Sequence, residues 1–224
     1  MVRSSFLLIL IILTSSCIAS LETFQPAKLP SVGYRYLDLI ADETFDNIGD
    51  WRTYDGGENL YMTVEDGVYR IDLSQRQIVW TQAPIQHDNV VIEATLTQRS
   101  DYNYNAYGIA CRLSPSNNGR GYYFLISGDG NYTIRWNNGR SLDDIIPASP
   151  SSAINTGQAK NTIRAVCIDD YLALWINGTF VAEAYDKKAS DGVVGLSGVM
   201  NYEGRNLTVE FDDLKVWTST FTQD

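Results

Sequence analysis

Tyr171-Leu-Ala-Leu-Trp-Ile176, Asn177-Gly178 and Thr179-Phe-Val-Ala-Glu-Ala184 read as two strands and the turn that joins them. Leu172, Leu174 and Ile176 alternate with Tyr171, Ala173 and Trp175, and a period of two places the first three on one face of an extended chain. Asn-Gly supplies the positive φ angles of a two-residue hairpin loop whose twist matches that of the strands. The same signature recurs where Leu60 to Glu65 and Val68 to Leu73 flank Asp66-Gly67. Val90, Ile92, Ala94 and Leu96 alternate with Val91, Glu93, Thr95 and Thr97. Tyr122-Tyr-Phe-Leu-Ile126 has no polar break and reads as a central strand covered on both faces. Later runs follow at Asn131 to Trp136, Asn161 to Ile168, Val193 to Val199 and Leu207 to Trp217.

Gly, Asn, Asp or Pro interrupts these runs every 8 to 12 residues or so, the spacing of an all-β sandwich or barrel. Pro26, Pro30, Pro84, Pro115, Pro147 and Pro150 fall between runs, where a missing N–H costs nothing. Ser141-Leu-Asp-Asp-Ile and Tyr185 to Ser190 have room for one helical turn each. The reading is one domain over residues 39–219, two packed antiparallel sheets of roughly six strands each. Residues 18–38, with Pro26, Pro30, Ser31 and Gly33 and no sustained period, read as a tether. Of the 224 residues 17 are basic and 27 acidic, a net charge of −10. With no basic cluster, the electrostatic footprint of a nucleic-acid binder is absent.

Residues 1–17 carry Arg3, an apolar run from Phe6 to Leu13 and a small-residue exit, Ser15-Ser16-Cys17. The run is too short to span a bilayer and reads as an export signal. Small residues before Cys17 suit a bacterial lipobox, with Cys17 acylated as the new N-terminus, although Thr14 stands where an aliphatic residue is preferred. Ordinary signal cleavage after Ala19 is the alternative. Acylation predicts an exported protein held on the extracytoplasmic side of a bacterial membrane by its lipid alone; the alternative predicts a secreted one. The folded part then keeps two thiols, Cys111 and Cys167, in a compartment that permits disulfides. A bridge between them is expected, across paired strands or across the core, against the alternative of two separate buried thiols.

Several segments together carry a resemblance: Glu43-Thr-Phe-Asp46 with Trp51, Val64-Glu-Asp-Gly67, Asn105-Ala-Tyr-Gly-Ile-Ala-Cys111-Arg112, Asn161-Thr-Ile-Arg164, Leu172-Ala-Leu-Trp-Ile-Asn-Gly178, Ala182-Glu-Ala-Tyr-Asp186, Gly192-Val-Val-Gly195 and Phe211-Asp-Asp-Leu-Lys-Val-Trp217. In this order they resemble the concanavalin A-like jelly-roll family, in particular the 3-keto-disaccharide hydrolase-like domains of secreted bacterial lipoproteins. The resemblance implies a two-sheet antiparallel jelly-roll β-sandwich and carbohydrate as ligand class. It also implies a structural calcium where first and last strands meet, for which Asp46, Asp212 and Asp213 would be the oxygen ligands. No other cofactor is expected.

Fold does not carry chemistry with it. Sandwich glycosidases of the laminarinase type place two carboxylates on one strand at i and i+4, aimed into one cleft. The sequence has no Glu-x-Asp-x-x-Glu arrangement; Glu93, Asp169, Asp170, Glu183, Glu210, Asp212 and Asp213 stand singly or at strand ends. His87, the single His, has neither a nucleophile nor a second metal ligand beside it. A non-catalytic, lectin-like module is therefore the leading expectation. A structural or protein-interaction domain of the cell envelope, or an enzyme cleaving a modified disaccharide, are the alternatives. A sugar site needs an aromatic platform beside forked polar groups. By strand parity Arg112, Arg135 and Trp175 point away from the core, and the loop Asp101-Tyr-Asn-Tyr-Asn105 offers Tyr102, Tyr104 and Asn105. These six residues form the expected glycan face, with Trp51, Trp80 and Trp217 assigned to the core.

Overall fold

A computed structural model describes residues 28–222. The expected export signal, Cys17 and the first part of the expected tether lie outside the described residues. Fifteen strands follow in order: β1 (Tyr34–Glu43), β2 (Tyr54–Asp55), β3 (Leu60–Glu65), β4 (Val68–Leu73), β5 (Gln77–Gln86), β6 (Val90–Gln98), β7 (Ala106–Ser114), β8 (Arg120–Ser127), β9 (Asn131–Asn137), β10 (Leu142–Pro150), β11 (Lys160–Ile168), β12 (Tyr171–Ile176), β13 (Thr179–Tyr185), β14 (Val193–Met200) and β15 (Leu207–Phe221). They form a nine-stranded sheet, β13-β12-β11-β6-β15-β4-β3-β2 with β1 also on β15, and a six-stranded sheet, β10-β9-β8-β7-β14-β5. All pairings are antiparallel. The two sheets make the expected jelly-roll sandwich. No helix among the described residues is long and apolar enough to cross a membrane.

One continuous core lies between the sheets, and the alternation seen in sequence builds it: Ile92, Ala94 and Leu96 of β6 and Leu172, Leu174 and Ile176 of β12 meet Tyr122, Phe124 and Ile126 of β8. In β15, Val209 and Phe211 point inward, as do Leu214 and Val216. A bulge between Asp212 and Lys215, with Asp213 at φ +50°, inserts the one residue that keeps both halves facing the core. Cys111 of β7 and Cys167 of β11 form a disulfide across the core, joining the two sheets, with a Cα–Cα distance of 6.8 Å.

Four readings change. The strand β1 begins at Tyr34, so the ordered sandwich takes in the last part of the stretch read as a tether. Ser141 to Ile145 contributes to β10 rather than to a helical turn. Pro84, Pro147 and Pro150 lie within β5 and β10 rather than between strands, and these are the two edge strands of the six-stranded sheet, where a residue without an N–H can be tolerated. Trp51 is buried in the main core, but Trp80 and Trp217 pack on the two outer faces.

Candidate functional site

Register across the six-stranded sheet sets its outer face. Gln82, Gly195, Ala110, Tyr123, Arg135 and Asp144 stand opposite one another on successive strands and so share one side. The next row contains Trp80, Ser197, Gly108, Leu125 and Thr133. Glycine, alanine and serine on the middle strands let Trp80 and Tyr123 join one apolar cluster on this face with Ala110, Leu113 and Leu125. The loop before β8 closes over it: Gly119, at φ +67°, has no room for a Cβ, which would stand 2.5 Å from the Trp80 ring.

At the end of this face where β8 turns into β9, a groove of about 240 Å³ opens. Leu125, Ala106 and Val199 form an apolar floor, and Tyr104 and Tyr202, each more than half exposed, stand at its rim. Arg135 is fixed in its orientation: Nη2 lies 3.0 Å from Asp144 Oδ1, and Nε donates to Thr133 Oγ1 at 3.3 Å. Thr133 donates in turn to the Ile146 carbonyl at 2.6 Å. Asp129 accepts hydrogen bonds from Ser127 Oγ and from Asn131 Nδ2. Tyr102 joins the tyrosines, its ring centroid 5.5 Å from that of Tyr104 and 5.7 Å from that of Tyr202, with the Arg205 guanidinium 4.9 Å above it.

Two buried amides hold this aromatic rim. Asn105 donates from Nδ2 to the Asn206 carbonyl at 2.9 Å and accepts the Asn201 N–H at 3.2 Å, locking the β14–β15 loop onto the β6–β7 loop. Gln98 donates to the Ser100 carbonyl and to Asn103 Oδ1, shaping the turn that presents Tyr102. Asn105 is therefore a brace beneath the groove and not a surface that touches ligand.

The structure brings Tyr102, Tyr104 and Arg135 together, with Asn105 below them, but not Arg112 or Trp175. Trp175 lies on the outer face of the opposite sheet and is 8% exposed. There Asp42, Lys215, Glu93, Arg164, Trp175 and Phe180 form a row across β1, β15, β6, β11, β12 and β13. Phe180 packs 5.0 Å from Trp175 and Tyr34 caps it edge-on at 5.5 Å. Parity chose the face correctly; Tyr34 at the start of β1 and Val32 before it then cover it. Arg112 sits in a β-bulge at φ +54° and is fully buried. Its guanidinium donates to the carbonyls of Asp88 (3.0 Å), Asp169 (2.6 Å) and Ala189 (2.9 Å) and to Asn89 Oδ1 (3.3 Å), clamping three loops at the far end of the sandwich. Burial lowers its pKa from the ordinary arginine value.

Among the described residues no three His, Cys, Asp or Glu side chains are grouped to hold a metal ion. Asp46 accepts from Thr44 Oγ1, and Asp212 from the N–H of Asp213 in the β15 bulge. Three of the strand carboxylates named from sequence are engaged with cations or donors: Glu93 with Arg164 at 2.7 Å, Glu210 with Arg99 at 2.6 Å, and Glu183 with Ser31 and Tyr171. Tyr202 and Arg205 escaped the sequence reading, because their Asn-Tyr-Glu-Gly-Arg-Asn loop has no periodic signal and is brought to Tyr102 only by the fold.

No family model matches the chain, and no curated protein does. Solved structures do. A carbohydrate binding module of Bacillus subtilis, CBM66, superposes with a TM-score of 0.58 at 16% identity, covering 77% of this chain and 98% of that one. A prokaryotic β-1,3-1,4-glucanase (lichenase) from a mouse hindgut metagenome gives 0.58 at 12% identity, covering 83% and 99%. The carbohydrate recognition domain of Emp47p gives 0.52 at 14% identity, covering 79% and 93%. Likeness at this level establishes the shared sandwich.

Proposed function

We propose that this protein is a non-catalytic, lectin-like glycan-binding module. The observation that carries the reading is the convergence of Tyr104, Tyr202 and the oriented Arg135 on one groove. Aromatic faces stack on the C–H side of a pyranose, and the guanidinium, Asp129 and Asn131 offer donors and acceptors to its hydroxyls. The carbohydrate-binding domains among the structural neighbours support the ligand class. Engagement of the strand carboxylates with arginines and hydroxyls supports binding over hydrolysis. The detergent-solubilised full chain applied to a glycan array should retain a defined set of sugars. Tyr104→Ala and Tyr202→Ala should each weaken that binding by about 1–2 kcal/mol, the area lost from an aromatic platform, with the melting temperature unchanged. Undiminished binding in both variants refutes the groove.

The anchor is part of the same proposal. Lys28, the first described residue, lies 5.4 Å from the Phe180 ring on the outer face of the nine-stranded sheet. The segment that would join an acylated Cys17 to the sandwich therefore reaches it at Lys28, on the sheet opposite the groove. Cys17→Ala should then move the protein from the detergent to the aqueous phase on partitioning, because acyl chains supply the membrane affinity; unchanged partitioning refutes acylation.

A further inference from the structure

At the opposite end of the six-stranded sheet, between the β7–β8 loop and the 186–192 segment that leads into β14, lies a cavity of about 450 Å³. Its lining holds four cationic side chains, Arg112, Arg120, Lys187 and Lys188, against one carboxylate, Asp191. On a chain of net charge −10 this gathers four cations on one lining, with Asp88, Asp169 and Asp191 close enough to act on the Arg112 charge. Lys187 leans 3.4 Å from Asp170, and Lys188 pairs with Asp186. Arg112 and Arg120 take part in no ion pair among the described residues. Arg112 spends its donors on carbonyls and an amide, so its charge stays below the cavity without a contacting carboxylate. Arg120 is half-buried, its guanidinium 5.5 Å from the centroid of the Trp136 ring, within cation–π range. The rim is tightly packed at one point: Gly192, at φ +149°, passes so close to the bulge that a Cβ would stand 2.5 Å from the Arg112 carbonyl carbon.

We propose that this cavity binds the carboxylate of an acidic sugar residue, with Arg120 as the forked donor. A planar carboxylate matches the paired N–H groups of a guanidinium. Gln86, Ser114 and Asn117 on the lining meet hydroxyls, and Asp191 supplies an acceptor that a site for a bare anion would exclude. The sugar part of this assignment rests on the glycan-binding reading; the charge part stands on the cavity alone.

The test is titration of the detergent-solubilised full chain with a galacturonate trimer, a neutral galactose trimer and galactose 6-sulfate. The galacturonate trimer should bind about tenfold or more tightly than the neutral trimer, the scale of charge-assisted hydrogen bonds, and more weakly as salt is added. Arg120→Gln should abolish that preference. Lys187→Gln, at a side chain 83% exposed and so without consequence for folding, should reduce it by about threefold. Equal affinity for the acidic and neutral trimers, or a preference that survives Arg120→Gln, overturns the site while leaving the groove standing. Arg120-dependent uronate binding with no effect of Tyr104→Ala on any sugar overturns the groove and supports the cavity. Affinity for galactose 6-sulfate equal to that for the uronate overturns recognition of a planar carboxylate.

Discussion

Trp175 carries a hydrophobic load on a face that strand parity would leave to solvent. Its neighbours Tyr34 and Phe180 close around the indole, and Val166, Ala173 and Tyr171 extend the same apolar layer over the back of the nine-stranded sheet. Trp175→Ala should therefore cost about 3–5 kcal/mol of stability, the range for removing a buried Trp, and leave glycan affinity untouched. Urea unfolding and a binding titration on the same variant check this; a loss of affinity at constant stability would return Trp175 to the site. Arg112 shows the complementary case. An arginine that reads as an outward-facing donor is turned by the bulge at its own position into the buried clamp of three loops, its fork filled by carbonyls that would otherwise lack partners.

At the scale of elements, the segment Lys28–Tyr36 straps the back sheet, and one carboxylate secures it. Glu183 of β13 accepts the Ser31 N–H at 2.8 Å, the Ser31 hydroxyl at 3.0 Å and the Tyr171 hydroxyl at 2.8 Å. Desolvation works to raise its pKa, but these donors, with Lys28 nearby, hold the carboxyl below its ordinary value. A depressed folded-state pKa gives a contribution that is fully present above the unfolded value of about 4.3 and is lost as pH falls through the lower folded value. The protection factors of the Ser31 to Tyr34 amides, taken against the intrinsic exchange rate at each pH, should thus fall below about pH 4 while those of the core amides are kept. Glu183→Gln should show the lower strap protection already at pH 7 and change little with acid. Strap protection factors that are the same at pH 3 and pH 7 in the native protein would remove the carboxylate from this role.

At the scale of the whole molecule, the Cys111–Cys167 bridge is the covalent tie between the sheets, with 56 residues of sequence separation. Loop-closure entropy for such a span is worth about 4 kcal/mol, so Cys111→Ala/Cys167→Ala should melt roughly 10 °C lower with its groove intact when folded. An unchanged melting temperature would show that the sandwich does not depend on the tie. The alternating strands, the two hairpins and the all-β class were legible in the sequence, because period two and the Asn-Gly and Asp-Gly loops are local properties. β1, β5 and β10 were not, since prolines in β5 and β10 and irregular register along all three break the period. The exposed side of the alternating strands was legible too, and Arg135 was named from it, whereas Tyr104 was named from its polar loop. Which outer face remains open was not, because a strap and a bulge act between segments far apart in the chain: Ser31 meets Glu183, Arg112 meets Asp169, and Tyr202 meets Tyr102. Sequence alone determined what each strand could present; only the tertiary structure decided which of those surfaces meets water, because burial depends on contacts between segments far apart in the chain.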